Sequence, residues 1–172
     1  MESLKIIFLC IAAAVVYGIL HDQVTARVCV EYFTIGHPPV FDTDSPTLLA
    51  LGWGVIASWW IGLILGVPAA LACRAGALPK FQASRLLRPI GALMLTMAVL
   101  ALLAGIAGYY AAKADAIRLM GPVASRVPAD KHHAFMADLC AHLTVYGVGV
   151  LGGFGLCGWI VIQRWVLARK AQ

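Results

Sequence analysis

Five side chains in this sequence carry the types and spacing that could do chemistry: Asp22, Glu31, His37, Asp138 and His142. Imidazoles and carboxylates together offer mixed nitrogen and oxygen ligands suited to zinc, iron, manganese or copper(II). A metal held this way would activate a water or polarise a substrate oxygen, with Glu31 or Asp22 as general base. The tightest pairing lies in Asp138-Leu139-Cys140-Ala141-His142. On a helix, residues four apart share one face about one turn apart. Asp138 can then share a metal with His142 or orient its imidazole by a hydrogen bond. The same pair would serve equally as a structural link between the last helix and a loop. No HExxH or ExxH spacing accompanies it. A metal site and a purely structural polar cap both stay open.

The second group of candidates runs from His21-Asp22-Gln23-Val24-Thr25-Ala26-Arg27 through Glu31-Tyr32-Phe33-Thr34 to His37-Pro38-Pro39. Val24, Ala26, Val28, Val30 and Tyr32 alternate with Thr25, Arg27, Cys29 and Glu31, a period-two pattern that predicts an extended segment or an irregular cap. Arg27 has Asp22 and Glu31 as candidate ion-pair partners. His133 is nine residues from His142, about two and a half helical turns, and so belongs to another surface.

These residues must be positioned by helices in a bilayer. The chain has 172 residues, 62% hydrophobic and 12% charged, against about 45–50% and about 25% for an ordinary soluble domain. That composition excludes a soluble globular fold, intrinsic disorder and a disulfide-rich miniprotein. The net charge of +5 does not signal nucleic-acid binding, because helical membrane proteins collect Lys and Arg for topology. Four apolar stretches, about Leu4–Leu20, Thr47–Cys73, Pro89–Ala112 and Leu139–Leu167, each reach the roughly 17–25 residues a spanning helix needs. The expected fold is a single domain: an all-α, four-helix transmembrane bundle with a structured outer loop between helices 1 and 2.

Charge then orients it. The connector Arg74–Arg88 holds Arg74, Lys80, Arg85 and Arg88 without an acid, and the tail adds Arg164, Arg169 and Lys170. The positive-inside bias places both in the cytoplasm, with both termini inside. All the histidines (His21, His37, His132, His133, His142) then fall on or near the outer side. Asp44-Ser45-Pro46 reads as a helix start with Ser45 as cap, and Pro128 as a first-turn residue of the last helix. Ala12-Ala13-Ala14 lies within the first apolar run and is followed by Val15, Val16 and Tyr17, so a retained anchor is expected rather than a cleaved signal. Cys10 lacks the small residues that precede a lipidated cysteine.

Gly54, Ser58, Gly62, Gly66 and Ala70 recur at spacings of four, forming a groove that lets another helix approach closely. Tight bundle packing is the plain reading; a glycine-lined crevice for lipid, quinone or pigment is the other. Trp53, Trp59, Trp60, Trp159 and Trp165 suit interface anchoring. The cysteines Cys10, Cys29, Cys73, Cys140 and Cys157 contain no CxxC, which disfavours a thiol oxidoreductase. Cys29 and Cys140 fall on the outer side, where a disulfide could persist.

The stretch Tyr17-Gly18-Ile19-Leu20-His21-Asp22-Gln23-Val24-Thr25-Ala26-Arg27, continuing to Glu31-Tyr32-Phe33-Thr34-Ile35-Gly36-His37-Pro38, resembles a family of small, uncharacterised bacterial four-helix membrane proteins. Ser58-Trp59-Trp60-Ile61-Gly62-Leu63 and Ala137–His142 are similar to it as well. The resemblance implies a bacterial inner membrane and brings no activity or cofactor with it. Relatives with Asn at the position of His21 imply that this histidine is not a ligand.

Three function classes follow. The first is a metal-binding membrane protein with an outward-facing site. The second is a non-catalytic subunit or scaffold, packing through glycine faces against a second copy or another membrane protein. The third is a small transporter, which would need polar groups near the midplane; the spans offer only Ser58, Thr96, Thr144 and Tyr146.

Overall fold

The computed structural model describes residues 1–170, of which the elements are all helical and none is a strand. Seven α-helices run in the order α1 (Glu2–Val28), α2 (Val30–Thr34), α3 (Pro46–Ile56), α4 (Trp59–Arg74), α5 (Leu87–Lys113), α6 (Gly121–Arg126) and α7 (His132–Lys170). Four segments are long and apolar enough to cross a membrane: Glu2–Val28, Pro46–Arg74, Ala83–Lys113 and Ala129–Lys170. Their outward faces carry Leu, Val, Ile and Phe side chains such as Phe8, Leu71, Leu95 and Leu151 in the open. Such a surface fits hydrocarbon and not water.

The helix starts follow local chemistry. Ser45 caps α3, its hydroxyl accepting from the Leu48 amide at 3.5 Å, and Pro46 occupies the first turn where no N–H is needed. Pro128 precedes a short 3-10 turn, Ala129–Lys131, that leads into α7. The second span is two helices, not one continuous rod. It breaks at Ala57 and Ser58, and the Ser58 hydroxyl donates back to the Gly54 carbonyl.

α1 packs along α3 and α4, and α5 along α7; the two pairs meet mainly through α4 and α7. The row of small residues on α3 and α4 is what seats α1. A Cβ on Gly54 would lie 2.6 Å from Ile19 Cα, and one on Gly62 would lie 2.6 Å from Ile11 Cα. Only glycine permits backbones this close, and dispersion between them holds the helices together.

Two apolar clusters close the ends of the bundle. One gathers Ala26, Tyr32, Phe33, Leu49, Trp53 and Phe135; the other gathers Ile6, Ala69, Phe81, Leu86, Ile90 and Ile160. Beside the second cluster, Arg164 is buried and spends its guanidinium on backbone. Its Nε donates to Pro79 O at 2.8 Å, and its terminal nitrogens to the carbonyls of Ala72, Ala75 and Leu78. The arginine thus satisfies orphan carbonyls at the C-terminal end of α4 and in the following loop. It is a clamp rather than a solvated topology signal.

Three expectations at the C-terminal end of α1 are corrected. The chain does not leave the helix at Leu20 but stays helical to Val28, and Val30–Thr34 is helical again after a single extended residue, Cys29. The period-two pattern therefore marks no extended segment. Thr25 and Ala26 are buried on a helical face, and that tertiary packing overrides the local alternation. Arg27 pairs with neither acid; it donates to Gln23 Oε1 at 2.7 Å and to Thr47 Oγ1 at 2.8 Å. Cys29 and Cys140 both remain free thiols.

Candidate metal centre

Extending α1 by two turns brings His21 and Asp22 against α7. There they meet His142, and one ligand atom from each of the three lies within 4.8 Å of the other two. Asp22 and His142 are buried, and His21 is half-buried. Asp22 Oδ1 stands 3.3 Å from His142 Nε2. The ring centroids of His21 and His142 are 4.6 Å apart, edge to face. His21 Nε2 is buried without a hydrogen-bond partner among the described residues.

The tautomer of His142 follows from its other nitrogen. Nδ1 lies 2.8 Å from the backbone carbonyl of Asp138, one turn earlier. A carbonyl oxygen only accepts, so Nδ1 carries the proton and donates. Nε2 of the neutral ring is then a lone pair facing a carboxylate oxygen. Two acceptors cannot rest against each other in a buried site unless a proton or a cation lies between them.

Aromatic side chains wall this centre. Tyr32, on α2, stacks on His142 at 4.4 Å, with Phe33 at 5.8 Å from the same ring. Tyr17 stacks under His21 one turn below, at 5.9 Å. The short helix α2 therefore serves as a cover, and the extended Cys29 provides the sharp turn that folds it back over the bundle.

Of the residues singled out in the sequence, Asp22 and His142 come together. His37 lies nearby: its Nδ1 donates to Tyr32 O at 2.8 Å, and it lines the same cavity as the cluster without belonging to the three-residue group. Its imidazole is held below the ordinary value of 6.5, chiefly by burial. Glu31 is drawn elsewhere, 3.9 Å from Lys131 Nζ and accepting from Cys29 Sγ at 3.4 Å. Burial pushes the Cys29 thiol up to about 12, so it stays protonated. Asp138 orients His142 through its main-chain carbonyl, while its own carboxylate is buried with Oδ2 unpartnered. His133 is exposed near Tyr109, on a separate surface.

His21 was discounted from the sequence, yet it is a member of the group. The signal for it was present in the register: on a helix that continues past Leu20, His21 follows Ala14, Tyr17 and Gly18 on one face, the face turned toward the bundle. Ending the helix at Leu20 hid that continuity. Comparison of the chain with protein-family models, curated proteins and solved structures yields no match.

A group of two imidazoles and one carboxylate placed this way could hold a metal ion. Three protein ligands leave coordination positions open, as catalytic zinc and non-haem iron(II) centres require.

Proposed function

We propose that this chain is a multi-pass inner-membrane protein that binds a transition metal, zinc or iron(II) before copper(II), through His21, Asp22 and His142 at the outer membrane face. The observation that carries this reading is the 3.3 Å separation of His142 Nε2 and Asp22 Oδ1. A charge-assisted N–H···O bond closes to about 2.7–2.9 Å. Two ligand atoms on a tetrahedral ion with bonds near 2.0–2.1 Å stand roughly 3.3–3.4 Å apart. The pair has the spacing that two ligands around an ion take.

Depth supports the outer placement. Asp22 is roughly 30 Å along α1 from Glu2, about the full hydrocarbon thickness. The Glu2 carboxylate accepts from the Ala83 amide, which ties that end of α1 to the connector that carries Arg74, Lys80, Arg85 and Arg88. By the positive-inside bias the connector is cytoplasmic and the cluster faces outward, with both termini inside. The resemblance to bacterial four-helix proteins supports a bacterial inner membrane.

Elemental analysis of the purified full-length protein tests the proposal. Near one equivalent of zinc or iron, lost on chelation with a lower melting temperature, is the expected result. Absence of stoichiometric metal after supplementation, with melting indifferent to chelator, would reduce the cluster to a protonated His–Asp link.

A further inference from the structure

A cavity of about 150 Å³ extends from the metal-site end down between the two helix pairs, lined by residues of all four spans. Its two ends differ in chemistry. At the outer end stand rings, including Tyr17, His21, Phe33, His37, Trp53 and His142. Further in, the lining becomes apolar, with Ala14, Leu65, Met94, Val145, Gly153 and Leu156. From His21 to Cys10 the slot follows α1 for roughly 16 Å, and from His142 to Leu156 it follows α7 for roughly 21 Å. That is at least the depth of one hydrocarbon leaflet, about 15 Å.

The second observation is Tyr17. It is only 8% exposed, it lines the cavity, and its hydroxyl has no hydrogen-bond partner among the described residues. A buried hydroxyl without a partner costs free energy unless a ligand or water completes it. No Lys or Arg is among the described residues lining the cavity, and the Asp22 carboxylate stands at its head beside His21, His37 and His142. A phosphate or carboxylate headgroup finds no lysine or arginine there and meets the Asp22 carboxylate. An uncharged headgroup that is flat, accepts a hydrogen bond and carries one apolar chain matches the rings, the orphan hydroxyl and the narrow apolar slot together.

We infer that the cavity binds a membrane quinone, its carbonyl-bearing ring among the aromatic side chains beside Tyr17 and the His21–Asp22–His142 cluster, and its chain in the slot between the helix pairs. This inference rests on the metal-site reading for the identity of the cluster, but its binding can be measured on its own. The ring enters from the outer leaflet through the seam between the pairs, where α1 and α5 scarcely meet.

The test uses full-length protein in detergent, titrated with a decyl-substituted benzoquinone and followed by quenching of tryptophan fluorescence, Trp53 being in the cavity wall. Metal content is measured on the same samples. Saturable quenching is expected in the wild type. Tyr17→Phe, which removes one oxygen, should weaken it about fivefold, the worth of one net hydrogen bond. Ala14→Phe and, independently on α7, Val145→Phe should abolish it by filling the slot, with metal content unchanged. Equal quenching in the wild type, Tyr17→Phe and both filled variants would overturn the inference. So would dodecanol displacing the quinone at equal concentration, since the slot would then recognise only an alkyl chain. Metal without a saturable quinone site sinks this inference alone; saturable quinone without metal sinks the metal reading alone.

Discussion

His142 is fixed from behind by Asp138: its Nδ1 donates to the Asp138 main-chain carbonyl at 2.8 Å, which aims Nε2 at Asp22 on another span. An i to i−4 bond within α7 thus sets the tautomer of an imidazole that meets α1. The partner required is a backbone oxygen, and any residue at position 138 would provide it. The consequence is a sharp difference in what mutations should do.

Asp22→Asn, which keeps the shape and removes the charge, should weaken zinc binding by at least about 100-fold, beyond the 10–100-fold typical of losing a supporting partner. Glu31→Gln should leave zinc affinity within about threefold, because Glu31 is engaged with Lys131 and Cys29. Competition titration against a chromophoric chelator reads both. Equal losses in the two variants would mean that Glu31 reaches the metal after all.

Asp138→Asn separates the two roles that the sequence left open for that residue. With orientation supplied by the main chain, the variant should keep its metal. Its folding stability should rise or stay level, since a buried carboxylate with an unpartnered oxygen becomes a neutral amide. Loss of metal in Asp138→Asn would show that the carboxylate is itself a ligand.

Arg164→Ala should cost about 3 kcal/mol or more of stability in a detergent unfolding titration. It strips donors from the carbonyls of Ala72, Ala75, Leu78 and Pro79 in a buried site. Arg164→Lys should recover only part of this, having one point charge in place of a fork. A loss below about 0.5 kcal/mol for Arg164→Ala would show that water or lipid headgroups replace the guanidinium.

The buried imidazole of His37 gives a pH dependence of defined sign. Burial depresses its value in the folded chain below the ordinary 6.5, so the unfolded chain binds more protons in acid. Its contribution is full above about 6.5 and is lost as the pH falls toward the folded value. Melting temperature should therefore drop on the acid side of 6.5, and His37→Phe should flatten that limb while keeping the ring contact with Phe33. An identical acid limb in the variant would assign it to other groups.

The spans, the Ser45 cap and the small-residue groove were legible in the sequence because each depends on local or one-helix information: apolar length, a capping side chain, a spacing of four. His142 was legible as an ionisable group at the edge of an apolar run, and Asp22 as a carboxylate in the segment that follows the first one. Their convergence with His21 was not, because it depends on α1 continuing to Val28, and the alternation from Val24 to Tyr32 imitates an extended strand. The displacement of Glu31 toward Lys131 was equally hidden. It follows from the turn at Cys29, a tertiary feature that carries no glycine or proline to announce it.

The most direct test is zinc K-edge X-ray absorption on the zinc-loaded, full-length protein and on His142→Ala. Nitrogen and oxygen neighbours at about 2.0–2.1 Å are expected, with the more distant scattering of two imidazoles, falling to one in the variant. A spectrum of hydrated zinc in the wild type, or one unchanged by His142→Ala, would contradict it.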